Sequence, residues 1–86
     1  MKNWKERLTG TEGNALMPRT LAEIYGKDRV LVEQHRGIIG YGTDCIRIEA
    51  TYGILVVEGE ELRLCCMSRS QVVIRGRILG LRLEAV

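Results

Sequence analysis

The only side chain able to act as a base at neutral pH is one histidine, His35, and the thiols that could act with it belong to three cysteines, Cys45, Cys65 and Cys66. A thiol beside an imidazole is the reactive pair of cysteine–histidine enzymes, so Cys45 or Cys66 could act with His35. Nothing in their spacing demands this pairing, and His35 lies in a segment typical of a turn. Zinc needs about four ligands, and neighbours such as Cys65 and Cys66 point to opposite faces of a strand. We therefore expect no catalytic residue, no metal and no cofactor.

The charged residues offer two further possibilities. Glu58, Glu60 and Glu61 flank a glycine, which predicts solvated carboxylates in a hairpin turn rather than a buried acid–base pair. Four arginines make the C-terminal third basic, and they could serve a nucleic-acid-binding β domain or pair with glutamates of a neighbouring strand. These are Arg69, Arg75, Arg77 and Arg82. With a net charge of only +2 and no interleaved aromatic residues, nucleic acid is the alternative rather than the leading partner.

An internal repeat determines the elements that position these residues. Residues 30–48 and 46–64 align at an offset of sixteen, and a looser third copy follows at an offset of seventeen. Each copy has apolar residues at a period of two and a turn with glycine, which predicts β-strands. Residues 18–86 should form one all-β domain, a small antiparallel meander, roll or sandwich of about six to seven short strands. A short β-solenoid is the alternative, because repeats can also stack in parallel.

The boundaries of the strands follow from the turn residues. Turns are predicted at 34–37, 42–44, 50–53, 59–60 and 68–70. Leu21, Ile24 and Tyr25 have helical spacing, which favours a short turn leading into the sheet over an extended first strand. In residues 71–84 the buried parity changes between Gly76 and Gly80. That change requires either a bulge in one strand or two strands joined by a tight turn.

Residues 1–17 form a polar, basic N-terminal tail in which Trp4 and Leu8 could share one face of a short amphipathic helix. The tail is either frayed or a small anchor for a partner or an anionic membrane surface. No secretory signal and no run of about 20 apolar residues is visible. We therefore expect a soluble, cytoplasmic protein with reduced thiols.

Two segments, residues 38–41 and 54–57, are apolar on both faces and should be central strands or lie at an interface. The surface that they leave would be covered by self-association or by a dedicated protein partner, and no small-molecule substrate is expected. The candidate interaction residues are Trp4, His35, Arg36, Ile38, Tyr41, Ile54 and Val56.

Several motifs spread over residues 18–83 resemble the YabP/YqfC family of small sporulation proteins, and its YqfC-like branch in particular. The family pattern has an acid, an amide, His, a basic residue and Gly, then glycine-punctuated strand pairs and a closing I-x-G-x-I element. Here Gln34 stands where the pattern has Asn. The matching segments are Pro18-Arg19, residues 32–38, 46–48, 53–59, 62–64 and 74–78.

The resemblance implies a protein made in the mother cell of an endospore-forming bacterium, with no established catalytic activity. It also implies a YqfD-like membrane sporulation protein as partner, which could recruit the chain to a membrane. Together with the residues above, it favours a non-enzymatic interaction or assembly module acting in sporulation.

Overall fold

The computed structural model describes residues 19–85, so the predictions for Trp4 and the N-terminal tail lie outside the described residues. That range forms six β-strands and no helix. The strands are β1 Leu21–Tyr25, β2 Arg29–Glu33, β3 Gly37–Tyr41, β4 Cys45–Ala50, β5 Gly53–Met67 and β6 Gln71–Glu84. They form one antiparallel sheet in the order β1-β2-β6-β5-β4-β3, open at β1 and β3. The predicted all-β class is confirmed, and the antiparallel pairing excludes the solenoid.

The core follows from the period-two pattern of the sequence. In β2, Val30 and Val32 are buried, whereas Leu31 between them faces the other side of the sheet. In β4, Ile46 and Ile48 alternate with Arg47 in the same way. All four buried side chains belong to a single cluster, although β2 and β4 are not neighbours in the sheet. The other members are Leu55, Val57, Leu62, Val72, Ile74 and Ile78.

A core with no exposed surface at Val30 or Ile46 needs a cover on its open side, and the described range has no helix to supply one. The sheet therefore bends over on itself into two layers. The β1–β2 layer adds residues 71–75 of β6 and 63–67 of β5 to those two strands. The β3–β4 layer adds residues 53–58 of β5 and 80–84 of β6. The long hairpin of β5 and β6 belongs to both layers.

The hairpin bends where its two strands approach each other most closely. The pairing of β5 with β6 shifts register between Glu58 and Gly59 and again between Glu60 and Arg63. A Cβ at Gly59 would overlap the carbonyl oxygen of Arg77. At Gly76, φ is +141° and an added Cβ would lie 2.7 Å from the Glu61 carbonyl oxygen. Glycine at both positions allows this close contact.

Two loops supply hydrogen-bond acceptors to the backbone of the bent hairpin. The Gly59 and Leu62 amides donate to the carbonyls of Asp44 and Thr43, at 3.1 and 2.7 Å. On the other strand, the Ile78 amide donates to the Lys27 carbonyl at 2.9 Å. Unpaired buried donors would be costly, so these loops stabilise the bend.

Thr20 ties the two layers together at one end. It is almost fully buried, and its hydroxyl donates to the Gln34 carbonyl at 2.6 Å and accepts from the Thr51 amide at 3.0 Å. The Thr20 amide in turn donates to the Thr51 hydroxyl at 3.1 Å. Residues before β1, in the β2–β3 loop and in the β4–β5 turn are thus joined by one satisfied polar group.

Three local predictions were wrong. Residues 21–25 form strand β1 instead of a turn, because pairing with β2 overrides the helical spacing of three apolar residues. Residues 59–60 are a bulge within β5, since the chain continues on to Met67 without reversing. The segment 38–41 lies in the edge strand β3 and not at the centre of the sheet. Of the two alternatives for residues 71–84, the single strand with a shift of register is observed.

The β2–β3 loop contains a residue in an unfavourable backbone conformation. Gln34 has φ of +60°, a region where Asn is far more common than other non-glycine residues. Its amide donates to the Ser70 carbonyl at 2.6 Å, which fixes this conformation. The asparagine of the resembled pattern would suit this geometry better than glutamine.

We expect Gln34→Asn to raise the free energy of unfolding by about 0.5 kcal/mol, because asparagine tolerates the left-handed region at lower cost. Gln34→Val is the matched opposite change and should lower it by about 1 kcal/mol or more, since a β-branched side chain clashes there. Urea unfolding of the three proteins measures both differences. Equal midpoints would show that the loop relaxes and stores no strain.

Candidate interaction surface

The open edges of the sheet are the first feature available to a partner. β3 is the last strand of the β3–β4 layer and pairs on one side only, with β4. Its register shifts between Ile38 and Gly40, and it leaves Ile39 52 % and Tyr41 59 % exposed. At the opposite edge, β1 exposes Leu21 and Ile24. Such edges present unpaired backbone groups to another strand.

Four of the predicted interaction residues fall together on β3 or on the loop that leads into it. Arg36 is exposed, and its amide donates to the Glu49 carbonyl at 2.8 Å, which starts the pairing of β3 with β4. Ile38 packs partly against the core, whereas Tyr41 stands at the exposed end of the strand. His35 precedes Arg36 and is partly buried.

The other two described candidates, Ile54 and Val56, lie on the outer face of β5. Val56 is 0 % exposed although it points away from the core. It pairs with Arg47 on one side and with Arg82 on the other. The aliphatic stems of long charged residues commonly cover apolar surface in this way. The apolar outer face predicted from residues 54–57 is therefore closed by the chain itself at Val56.

An ion-pair network holds these arginines in place. Glu84 accepts hydrogen bonds from both Arg47 and Arg82, and Arg82 also pairs with Glu58 at 3.1 Å. Hydrogen bonds from Arg47 and then from Arg82 lower the pKa of the Glu84 carboxyl below its usual value. Burial opposes this shift but does not outweigh it. The outer face of the β3–β4 layer thus carries charges that are compensated within the layer.

The outer face of the β1–β2 layer carries a different pattern. Arg29 of β2 lies directly opposite Arg75 of β6, and Arg75 lies directly opposite Arg63 of β5. Directly paired residues of antiparallel strands share a face, so three guanidinium groups form a row across three strands. We call Arg29, Arg63 and Arg75 the arginine row. Among the described residues, none of the three has an ion-pair partner.

Aromatic, acidic and apolar side chains surround the arginine row. At one end, the Arg29 guanidinium lies 4.7 Å from the centre of the Tyr25 ring. The charge of Glu23 is the main cause of a raised pKa at Tyr25, whose hydroxyl donates to that carboxylate at 3.3 Å. Beside the row on the same face lie the partly buried Leu31 and Val73, which pair with each other.

The arginines flagged by the sequence do not form one patch. Arg77 pairs with Glu60 at 3.3 Å, as expected for neighbouring strands, and Arg82 belongs to the network of the other layer. Arg75 faces two arginines instead of a glutamate. The sequence analysis missed Arg29 and Arg63 as its companions, because they pair with Arg75 across 46 and 12 positions, and such pairing is not encoded in local spacing. The alignment of Arg47 with Arg63 in the repeat was the only hint.

His35 is not joined to a thiol in this structure. Its Nε2 lies 3.1 Å from the Ser68 carbonyl oxygen, where it can donate a hydrogen bond in the corresponding tautomer. Its Nδ1 is buried without a hydrogen-bond partner among the described residues. Cys65 and Cys66 are exposed near the end of β5, and Cys45 is partly buried at the start of β4. Among the described residues, no hydrogen bond joins His35 to Cys45, Cys65 or Cys66.

Two further structural results concern residues 19–85. No three side chains of the types that bind metals come together within this range. The same range also lacks any helix with the length and apolar character needed to cross a bilayer.

A model of the YabP family matches residues 18–85, which is most of the chain and includes every strand. The match supports the family that the sequence resembles and does not separate a YqfC-like branch within it. No curated protein and no solved structure matches the chain.

The network around Glu84 predicts a pH dependence. A carboxyl whose pKa is lowered by folding stabilises the folded state above its ordinary pKa, and this contribution disappears as the pH falls through the lowered value. We expect Glu84→Gln to be less stable than the wild type at pH 7 and to approach it below about pH 4. Thermal unfolding at a series of pH values measures the difference. A constant difference across that range would contradict the assignment.

The arginine row predicts a gain in stability on substitution. Like charges directly opposite each other destabilise a sheet, so Arg75→Gln should raise the free energy of unfolding by about 0.2–1 kcal/mol at low salt. Arg77→Gln is the control, because it removes an exposed arginine that has an acidic partner, and it should give no gain. The gain at Arg75 should shrink at 1 M salt, where charges are screened. If denaturant unfolding shows a lower free energy of unfolding for Arg75→Gln than for the wild type, the charges of the row are compensated in the folded protein.

Proposed function

The chain belongs to the YabP family, and from this membership we propose that it is a non-enzymatic interaction module whose edge strand β3 binds an extended segment of a partner. Membership of the family indicates a sporulation-related protein. The proposed partner is a membrane-associated sporulation protein, and the proposed place of action is the mother cell, where the partner would recruit this chain to a membrane.

The open edge at β3 is the observation that carries the proposal. An added strand obtains affinity from main-chain hydrogen bonds and specificity from the side chains on either side of the edge. β3 offers both, because its outer backbone pairs with no described residue and Ile39 and Tyr41 are exposed beside it. The shift of register at Ile39 adds a local irregularity that a partner must match.

The described residues also supply a reason for a binding role rather than a catalytic one. A nucleophile must lie within hydrogen-bond reach of its base, whereas His35 contacts the Ser68 carbonyl. Four of the seven residues predicted for interaction, in contrast, lie together on β3 or on the loop before it. Two observations support a non-enzymatic role, namely the contact of His35 with a backbone carbonyl and the membership of the YabP family.

A substitution at the edge tests the proposal. We expect Ile39→Lys to abolish co-fractionation with membranes of sporulating cells and to lower the yield of spores, because a lysine on an edge strand opposes pairing with another strand. Tyr52→Lys is the matched control, since Tyr52 is 48 % exposed against 52 % for Ile39 but lies in the β4–β5 turn. Circular dichroism establishes that both variants are folded.

Three outcomes distinguish the possibilities. Loss of co-fractionation in Ile39→Lys and its retention in Tyr52→Lys support the proposal. Wild-type behaviour of a folded Ile39→Lys protein contradicts it. A purified wild-type protein whose mass by light scattering is that of an oligomer, and which becomes monomeric in Ile39→Lys, would assign the edge to a second copy of this chain instead.

A further inference from the structure

In the described part of the chain, Arg47, Arg77 and Arg82 each have a carboxylate partner, whereas Arg29, Arg63 and Arg75 have none. Arg19, Arg36 and Arg69 also have no ion-pair partner among the described residues, so the direct opposition of its three members is what distinguishes the arginine row. The three belong to three neighbouring strands and oppose each other directly. Like charges directly opposite one another destabilise a sheet, which makes the arginine row a candidate site for negative charge supplied from outside the described chain.

The spacing of the row restricts the shape of its partner. Neighbouring strands are about 4.8 Å apart, so the three arginines span roughly 10 Å across the sheet. Side chains three or four residues apart on a helix have Cβ atoms about 5–6 Å apart. A helix lying across β2, β6 and β5 could therefore place three carboxylates, one turn apart, opposite the three guanidinium groups. Arginine and carboxylate can then pair in the two-pronged geometry that makes such contacts specific.

The surroundings of the row favour a single line of carboxylates over an extended polyanion. Leu31 and Val73 lie directly beside the row, and Glu33 and Gln71 follow as the next pair along the same face. Glu33 is held there by a hydrogen bond from the Gln71 side chain at 2.9 Å. A nucleic acid or an anionic membrane would extend beyond the row and meet Glu33 and Glu23. An amphipathic helix would instead lay apolar residues on Leu31 and Val73.

We infer that the arginine row is the docking site for an acidic stripe on a helix of a partner protein, with Leu31 and Val73 receiving the apolar residues next to that stripe. This inference rests on the proposed function as a protein-interaction module and names a second contact of that module. It uses the outer face of the β1–β2 layer, which is separate from the β3 edge.

A pair of synthetic helical peptides tests the inference with the full-length protein. Both peptides contain the same residues, with three glutamates and two leucines in an alanine-rich sequence. In the striped peptide the glutamates are four residues apart, and in the scattered peptide they point to three sides of the helix. We expect the striped peptide to bind at least fivefold more tightly at 50 mM salt, as measured by fluorescence anisotropy, and to weaken as salt rises.

Variants assign the binding to the row. Arg75→Gln should weaken binding of the striped peptide about fivefold, and Arg77→Gln, whose arginine has its own glutamate, should leave it unchanged. Equal binding of the two peptides, no binding of the striped peptide, or equal effects of the two variants would overturn the inference. Tighter binding to vesicles with phosphatidylglycerol or to a DNA duplex than to the striped peptide, with the same loss in Arg75→Gln, would also overturn it and assign the row to phosphate.

Failure here is distinguishable from failure of the proposed function. The peptide experiment uses purified protein and does not involve β3, whereas the membrane co-fractionation depends on Ile39. Suppose that Arg75→Gln does not affect peptide binding while Ile39→Lys no longer co-fractionates with membranes. The proposed function is then still supported, and only the docking site on the β1–β2 layer is withdrawn.

Discussion

The buried face of this sheet has to be covered by the sheet itself. Ten apolar side chains from the four strands β2, β4, β5 and β6 share one core cluster, and the described chain offers no helix to close it. The long β5–β6 hairpin meets this requirement by bending between two layers. The bend depends on glycine at positions 59 and 76, where any side chain would strike the backbone of the opposite strand. It also depends on loop carbonyls at Thr43 and Lys27, which accept hydrogen bonds from amides at the bend.

Bending the hairpin determines which edges and faces of the sheet are exposed. The sheet is open, so β1 and β3 are its two edge strands. Because β5 and β6 contribute to both layers, the folded sheet also has two outer faces. On the outer face of the β3–β4 layer, Glu84 and Glu58 form ion pairs with the arginines that cover Val56. The other face keeps Arg29, Arg63 and Arg75 opposite one another. Both layers are built from antiparallel strands, and they differ in whether the arginines on their outer faces are paired with glutamates.

The sequence predicted the elements that depend on local pattern. Alternation at Val30–Val32 and at Ile46–Ile48 identified strands and their buried faces, and Gly42–Asp44 and Ser68–Ser70 were recognised as turns. The failures came from tertiary pairing. Glycine at position 59 reads as a hairpin turn in the repeat, but in the structure the same residue allows a bulge in a continuing strand. The candidates at β3 were found because they are close in sequence, whereas the arginine row joins positions 29, 63 and 75 through long-range pairing.

Stability and binding oppose each other at the two proposed contacts. A lysine on the edge strand would protect the isolated chain from unwanted strand pairing, yet β3 exposes Ile39 there. A glutamate opposite an arginine would stabilise the sheet, yet the arginine row places three arginines opposite one another. A small all-β domain has little stability in reserve, because a short chain buries a modest share of its surface. Unfavourable residues at two separate surfaces are the structural support for the two proposed contacts. Since the β3 edge and the row lie on different layers, one partner segment at each surface would not exclude the other.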